Sequence, residues 1–427
     1  MRRLAVAAGV GVALYGGVAI AALLGVGGGV YWVALGGGTV VLVAGLRLAP
    51  KAQGGRVLLL VLVSGALLRA VLVPTEPVLS DDIWHYLWDG RLAAADVNPY
   101  AYRASDPALA PLRDDRIYPR LPRPEAPTVY PPVSQLVVEA TWRAGLRTPQ
   151  AFKVVAVAAD VAAAGLLAVA LRQAGRDPRL VVAYAWHPLP ILAFGHSGHG
   201  DSLAVLALVA AAMAWQRGRL WPAGALMGLA AGVKLIPLLL LPAFVRPRNG
   251  GWSWRWALGL PTIALAVLAL AYVPYLDVGQ RVIGYLTGGY LEREGYESGR
   301  RFLLARVVGL DGRVLVAVVA PVVVGLVLRS LRPAAARAAW ILGAALVLTT
   351  PYPWYAAPLI ALAVLGGAGW AWGWFALALE VAYVSLFFGP PGIRLAEWIR
   401  FPAALAITLA AVLSWRLAVA RRAVLVS

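Results

Sequence analysis

The chain has 427 residues, of which 61% are hydrophobic and only 14% charged, and its mean hydropathy is +0.75. A soluble domain is about half apolar and about one quarter charged, so an ordinary soluble enzyme is excluded. The net charge of +18 does not point to nucleic acid, because the basic residues sit in short clusters between apolar runs, as the positive-inside rule leads one to expect of a membrane protein; the lack of cysteine removes disulfides and thiolate metal sites.

At about 20 residues per crossing, apolar runs mark spans near 4–26, 30–48, 57–74, 150–171, 180–195, 202–216, 219–232, 235–246, 255–274, 313–329, 335–350, 354–369, 371–388 and 400–418. The first run follows Met1-Arg2-Arg3, as in a signal peptide, but it is long for one and further spans follow, so it is read as the first span. Several runs are too short to cross upright. Broken or re-entrant segments are therefore expected, with protein covering the loose backbone. The expectation is an all-α polytopic membrane protein of 11–14 helices, with one domain over residues 1–427.

Orientation follows from charge. The clusters Arg47/Lys51/Arg56, Arg172/Arg176/Arg179, Arg217/Arg219, Arg246/Arg248/Arg255, Arg329/Arg332/Arg337 and Arg416/Arg421/Arg422 share a side with Arg2 and Arg3 only if residues 75–149 lie wholly on the other side. Both termini are then cytoplasmic, and the apolar piece 132–146 lies on the outer surface without crossing. The outer side is chemically distinct. Residues 75–130 hold nine of the 20 acids, a second outer loop spans 275–312 with Asp277, Glu292, Glu294, Glu297, Arg300 and Arg301, and a third, 389–399, carries Arg394 and Glu397.

The first outer loop opens on Ser80-Asp81-Asp82-Ile83-Trp84-His85-Tyr86-Leu87-Trp88-Asp89-Gly90-Arg91. On a helix, Asp82, His85, Tyr86 and Asp89 form one polar stripe, and Trp84 and Trp88 a neighbouring aromatic one suited to the lipid–water boundary. Two adjacent carboxylates at a membrane exit suit a general base or a divalent cation. The plain alternative is an acidic helix cap, for which Ser80 or Asp81 alone suffices. The turn-rich pieces Asn98-Pro99-Tyr100 and Thr128-Val129-Tyr130-Pro131-Pro132 follow, with Tyr100 and Tyr130 as substrate contacts or as interface anchors.

Further on, His196-Ser197-Gly198-His199-Gly200-Asp201-Ser202 gathers two histidines and an acid. His196, His199 and Asp201 suit sugar or phosphate contact, with Asp201 as a simple helix start the alternative. The spacing is weak evidence for a metal site. Lys234 lies between two half-length helices, where a broken segment brings charge to a binding site and a phosphate is the natural ligand; the alternative is an internal pair with Asp201 or Asp160. Arg300 and Arg301 could grip a phosphate, and Tyr352, Trp354 and Tyr355 could stack on a sugar or sit in the aromatic belt.

Taken in order, SDDIWHYLWDGRLAAADVNPYAY, TVYPPVSQ, GHGDSL, GVKLIPLLLLPAF and TTPYPWYAAP, across most of residues 75–360, resemble the GT-C superfamily of integral-membrane glycosyltransferases, and within it the bacterial polyprenyl-phosphomannose-dependent α-mannosyltransferases. The resemblance implies a GT-C fold, a polyprenyl-phosphate sugar donor and a catalytic aspartate in the first outer loop. That role carries over to Asp81 or Asp82, the Asp-x-x-x-Tyr match favouring Asp82. Some relatives carry a histidine where this chain has Tyr352 or Trp354.

The expected function is inverting transfer of a sugar, most often mannose in the family it resembles, from the lipid-linked donor to a lipid-linked or cell-envelope glycan acceptor on the extracytoplasmic face. Asp82 or Asp81 would act as base, His85, Tyr86 and Asp89 would contact substrate, and Lys234, Arg300, Arg301 and His199 would lie on the phosphate side. A polyprenyl-phosphate donor does not itself require a metal, though Mg²⁺ or Mn²⁺ could sit among Asp81, Asp82, His196, His199 and Asp201. The competing reading is a transporter or lipid flippase, which the absence of an internal repeat and the acid-rich outer loop disfavour.

Overall fold

The structure, a computed structural model, describes residues 1–49, 54–248, 251–285, 289–299, 301–302, 305, 309–349, 351–388, 395, 396, 399, 403 and 406. Lys51, Arg300, Arg394, Glu397 and most of the expected span 400–418, with the basic cluster after it, lie outside these residues. Among the described residues all regular structure is helical. In chain order the main helices are α1 (Arg2–Leu23), α2 (Gly29–Leu48), α3 (Gly55–Ala70), α4 (Asp82–Ala94), α5 (Pro132–Arg143), α6 (Pro149–Gln173), α7 (Asp201–Gln216), α8 (Leu220–Val233), α9 (Trp254–Tyr272), α10 (Gly312–Arg329), α11 (Ala334–Leu348), α12 (Ala357–Gly366) and α13 (Ala371–Ser385). Among the described residues, five helical stretches are long and apolar enough to cross a membrane: Arg2–Leu23, Gly29–Leu48, Pro149–Gln173, Trp254–Val278 and Gly312–Arg329. The protein is an all-α membrane protein.

Helix packing relies on small residues, which let backbones approach where lipid offers no hydrophobic drive between helices. Ala211 and Ala212 of α7 and Ala230 and Ala231 of α8 are buried, and α8 packs on both α7 and α9. The first helix lays Leu4, Ala8, Gly11, Tyr15, Val18 and Ala19 inward against α2 and α3.

The run expected to span 180–195 is broken. It forms short helical pieces at Val182–Ala185 and Pro188–Pro190 and a π-helical turn at Ile191–His196. Pro188 and Pro190 lack the amide hydrogen that a continuous helix needs. Every residue from 181 to 202 is buried, as unwound backbone inside a bilayer demands. Arg69 of α3, 1% exposed, pins this segment. Its Nε donates to Asp160 of α6, and its Nη1 donates to the carbonyls of Gly65 and Ala185 at 2.8 and 2.6 Å. The Tyr184 hydroxyl donates to the other Asp160 oxygen. Asp160 therefore belongs to Arg69, and the pairing of Lys234 with Asp160 is not seen.

Over one end of the bundle, α4 and α5 pack together. Gly90 is required there, because a Cβ would lie 2.6 Å from the Val138 carbonyl. The 12 residues of α5 extend about 18 Å, short of the about 30 Å hydrocarbon core, so the piece 132–146 cannot cross. Trp84 and Trp88 differ from expectation. They are 6% and 2% exposed and face the loop's own small core, with Arg120 over the Trp84 ring at 4.9 Å and Tyr118 against Trp88 at 5.9 Å. The loop is long enough to fold back on its helix, so these rings serve it and not the lipid boundary.

Removing one partner of a buried ion pair costs about 3–5 kcal/mol, whereas replacing both by apolar residues is often close to neutral. Asp160→Leu should therefore lose most detergent-stable protein, and Arg69→Met/Asp160→Leu should recover much of it. Size-exclusion chromatography and thermal unfolding measure this; equal behaviour of single and double variants would show that the pair does not hold the broken segment.

Candidate active site

A cavity of ≈ 210 Å³ lies where α4 begins. Its walls come from Ser80–Asp82 and His85, Pro122, Arg123 and residues 126–130, Lys234 at the break after α8, Tyr290 and Glu294 of the loop after α9, Tyr352, Trp354 and Tyr355 before α12, and Tyr383 and Phe387 at and just after the end of α13. The break at Lys234 arises because Pro237 cannot continue a helix. The chain passes instead into a 3₁₀ turn, Ile236–Leu240.

Capping does not consume the paired aspartates. The Asp82 amide donates to the Ser80 hydroxyl at 3.3 Å, and Asp81 makes no capping bond through its side chain. Asp81 is exposed, whereas the Asp82 side chain retains 29% exposure. Burial pushes the Asp82 carboxyl up, but contact with His199 and the attraction of His199 and Lys234 overcome this and hold it at about 2. Asp81 moves the other way, raised by burial and by the charge of Asp82. The two neighbouring carboxyls are pushed apart, and Asp82 is the one held more firmly ionised. Burial drives the His85 imidazole down to about 4, against the pull of Asp82, so it is neutral at pH 7.

His199 does not line the cavity. Its Nδ1 lies 3.4 Å from the Asp82 carboxylate, its ring stacks on Trp354 at 3.8 Å, and it is 1% exposed. Neither Nδ1 nor Nε2 has a hydrogen-bond partner among the described residues, and leaving a buried polar group unpaired costs about 1–3 kcal/mol. Gly198 permits the approach, with φ of +70°, a conformation that glycine adopts at no steric cost.

Lys234 Nζ sits 3.6 Å from Asp201 and over the rings of Tyr355 at 4.8 Å and Tyr130 at 5.6 Å. Asp201 is the first residue of α7 but makes no capping bond; its partner is Lys234. Tyr352 and Trp354 stack nearly parallel at 4.8 Å. The Tyr352 hydroxyl donates to Glu294 at 3.1 Å. Arg301 pairs with Glu294 and lies 4.7 Å over the Tyr352 ring, so it is spent on the cavity wall and does not face the cavity.

Of the residues singled out in the sequence, Asp81, Asp82, His85, Tyr130, Lys234, Tyr352, Trp354 and Tyr355 line the cavity. His199, Asp201, Arg301 and Tyr86, which packs on Tyr130 at 4.7 Å, stand behind them. Three sit elsewhere. His196 is fully buried, with Nδ1 2.9 Å from the Thr75 hydroxyl and its ring against Tyr31. The polar stripe leaves Asp89 facing inward, where it accepts from Thr128 at 2.6 Å and Gln135 at 2.9 Å. Tyr100 donates to the Tyr130 carbonyl at 2.7 Å, supporting the wall from behind. Among the described residues no group of three or more histidines or acids is placed to hold a metal ion. Sequence reasoning missed Arg123, Tyr290, Glu294 and Tyr383. Arg123 pairs with Glu294 at 2.8 Å, joining two loops distant in sequence, and only the fold reveals such a pair.

The chain matches the family model described as alpha-(1->6)-mannopyranosyltransferase, N-terminal domain, over residues 3–247. No curated protein and no solved structure gives a significant match. Asp81, Asp82, His199 and Lys234 fall inside the matched region; Glu294, Tyr352, Trp354 and Tyr383 lie beyond it.

Burial pushes the Asp89 carboxyl up to about 6, against the hydrogen bonds of Gln135 and Thr128. The neutral form stabilises the fold fully below about pH 4, and that contribution is lost as pH rises through about 6. Asp89→Asn keeps an acceptor and removes the charge. Its unfolding midpoint should therefore gain on the wild type between about pH 5 and about pH 8. A difference independent of pH would show that Asp89 is not held in its neutral form.

Proposed function

Because this chain belongs to the alpha-(1->6)-mannopyranosyltransferase family, and is thus a mannose-transferring glycosyltransferase in place of the transporter considered above, we propose that its cavity takes mannose from a polyprenyl-phosphate donor and transfers it, with inversion, to a glycan or glycolipid hydroxyl at the extracytoplasmic face. The α-(1→6) linkage in the family's description is proposed for this chain as well. The observation that carries the reading is one cavity lined by the paired Asp81 and Asp82, the cation Lys234 and the ring wall of Tyr352, Trp354 and Tyr355.

The roles follow from charge. The acceptor oxygen attacks the anomeric carbon as the bond from that carbon to the phosphate oxygen breaks, and polyprenyl phosphate leaves. A phosphate leaving group needs no proton, only cationic stabilisation, which Lys234 supplies; a well-placed donor at such a charge is worth about 3–4 kcal/mol. Asp82 receives the acceptor's proton, a step worth about 10²–10⁴-fold. A carboxylate held as low as Asp82 is a weak base, so it takes the proton late, once the forming bond has made the hydroxyl acidic. Its charge also opposes the positive charge growing on the sugar ring. No step calls on a metal.

The cavity is small against the about 300–1,000 Å³ of sites that enclose a whole ligand. Only the sugar-phosphate head fits, so the polyprenyl chain must leave sideways. Val78 and Phe387 line the cavity and are also 56% and 50% exposed, so the polyprenyl exit is proposed on the side of these apolar residues.

Asp82→Asn should reduce transfer from polyprenyl-phosphomannose by about 10²-fold or more with the protein still folded, and Asp81→Asn should fall less. Lys234→Met should lower kcat by about 10²-fold. Radiolabelled donor and purified protein in detergent measure these. Near-native turnover of Asp82→Asn would remove the base assignment.

A further inference from the structure

Behind the cavity lies a histidine that the sequence places with the phosphate and the structure places with the base. We propose that His199 is a positioning residue for Asp82: clamped between that carboxylate and the Trp354 ring, it aims the carboxylate into the cavity and keeps it charged. The inference rests on the assignment of Asp82 above.

Three features fix His199 in that task. Its backbone amide donates to the Ala193 carbonyl at 3.0 Å, tying it to the π-helical turn Ile191–His196. Its ring stacks on Trp354 with an interplanar angle of 23°, and its Nδ1 lies 3.4 Å from the Asp82 carboxylate. Its side chain is buried and absent from the cavity lining, so it cannot reach a phosphate held there. Nδ1 and Nε2 are both buried without a hydrogen-bond partner among the described residues, and the Asp82 carboxylate stands at ion-pair distance from Nδ1.

Other charges around Asp82 do not replace it. Asp81 and His85, on its own helix, are respectively a like charge and a neutral ring at pH 7. Lys234, from the break after α8, is shared with Asp201. The phenols Tyr86, Tyr130, Tyr355 and Tyr383 are neutral at pH 7. Burial is already the largest single influence on the carboxyl and pushes it up; without the imidazole less opposes it, and the carboxyl moves upward.

The test compares His199→Phe, which keeps the stacking ring and removes both nitrogens, with His199→Gln, which retains a hydrogen-bond donor. Turnover of polyprenyl-phosphomannose is followed against pH, with Asp82→Asn in parallel and thermal unfolding as a check on the fold. We expect wild-type kcat to hold down to about pH 4. For His199→Phe we expect a fall of about ten- to a hundredfold at neutral pH, an acid limb moved up by at least about one unit, and a donor KM within about twofold of wild type; His199→Gln should recover part of kcat. A raised donor KM with an unmoved acid limb would make His199 a phosphate contact and overturn the proposal, as would a wild-type profile in His199→Phe. If Asp82→Asn itself keeps turnover, the base assignment fails and the inference falls with it; if Asp82→Asn is inactive and the His199 profiles are unchanged, only the inference falls.

Discussion

Backbone that leaves the helix inside a bilayer must find its hydrogen bonds within the protein, and this chain does so over residues 181–202. The unwound stretch is covered on all sides and held by Arg69, which donates both to Asp160 and to the Ala185 carbonyl. The candidate site depends on this. The π-helical turn that ends the stretch delivers His199 to Asp82, and the next helix begins with Asp201 facing Lys234. A straight helix through the same residues would present one stripe to the bundle and would have no means of turning two successive polar groups toward a loop outside it. The buried ion pair is thus best understood as what allows an irregular segment to exist, and not as a net source of stability.

Much of this was legible in the sequence, for identifiable reasons. Apolar runs and basic clusters marked the helices, because length and charge are what the bilayer constrains. The first outer loop was legible because adjacent carboxylates beside aromatics exceed what a helix start requires, and Ser80 alone serves the cap. Several short runs were expected to break, and the run at 180–195 is one that does. What remained hidden was partnership. Arg69 reads in sequence as one more charge near a span end. Glu294 reads as one acid among several in its loop, yet it collects Arg123, Arg301 and Tyr352. His196 and His199 stand three residues apart and look alike; the turn sends one to Thr75 and the other to Asp82. Periodicity assigns a residue to a face, but it cannot say what waits opposite.

The same reasoning corrects the reading of the arginines. A guanidinium near a membrane surface suggests a phosphate, but Arg301 lies over Tyr352 and against Glu294, where it shapes the aromatic wall. The cation that faces the cavity from within the bundle is Lys234. Its position between Asp201, Tyr130 and Tyr355 keeps it charged without a tight partner, since 3.6 Å is longer than a close ion-pair hydrogen bond. A phosphate arriving in the cavity can therefore compete for it, which it could not do against the closer, multiply bonded contacts of Arg301.

Charge balance then separates the two ends of the cavity. Asp82 and Lys234 both belong to it, yet each is matched to a second group behind the wall, His199 for the acid and Asp201 for the base. With a partner of its own each, the two need not collapse onto one another and close the space between them. That space is where an anionic donor with a neutral sugar would lie, its phosphate drawn to the lysine and its anomeric carbon left toward the carboxylate. Remove either rear partner and the remaining attraction runs straight across the cavity. On the proposed roles, the buried second layer would keep Asp82 and Lys234 close enough to act on one molecule without neutralising each other in its absence.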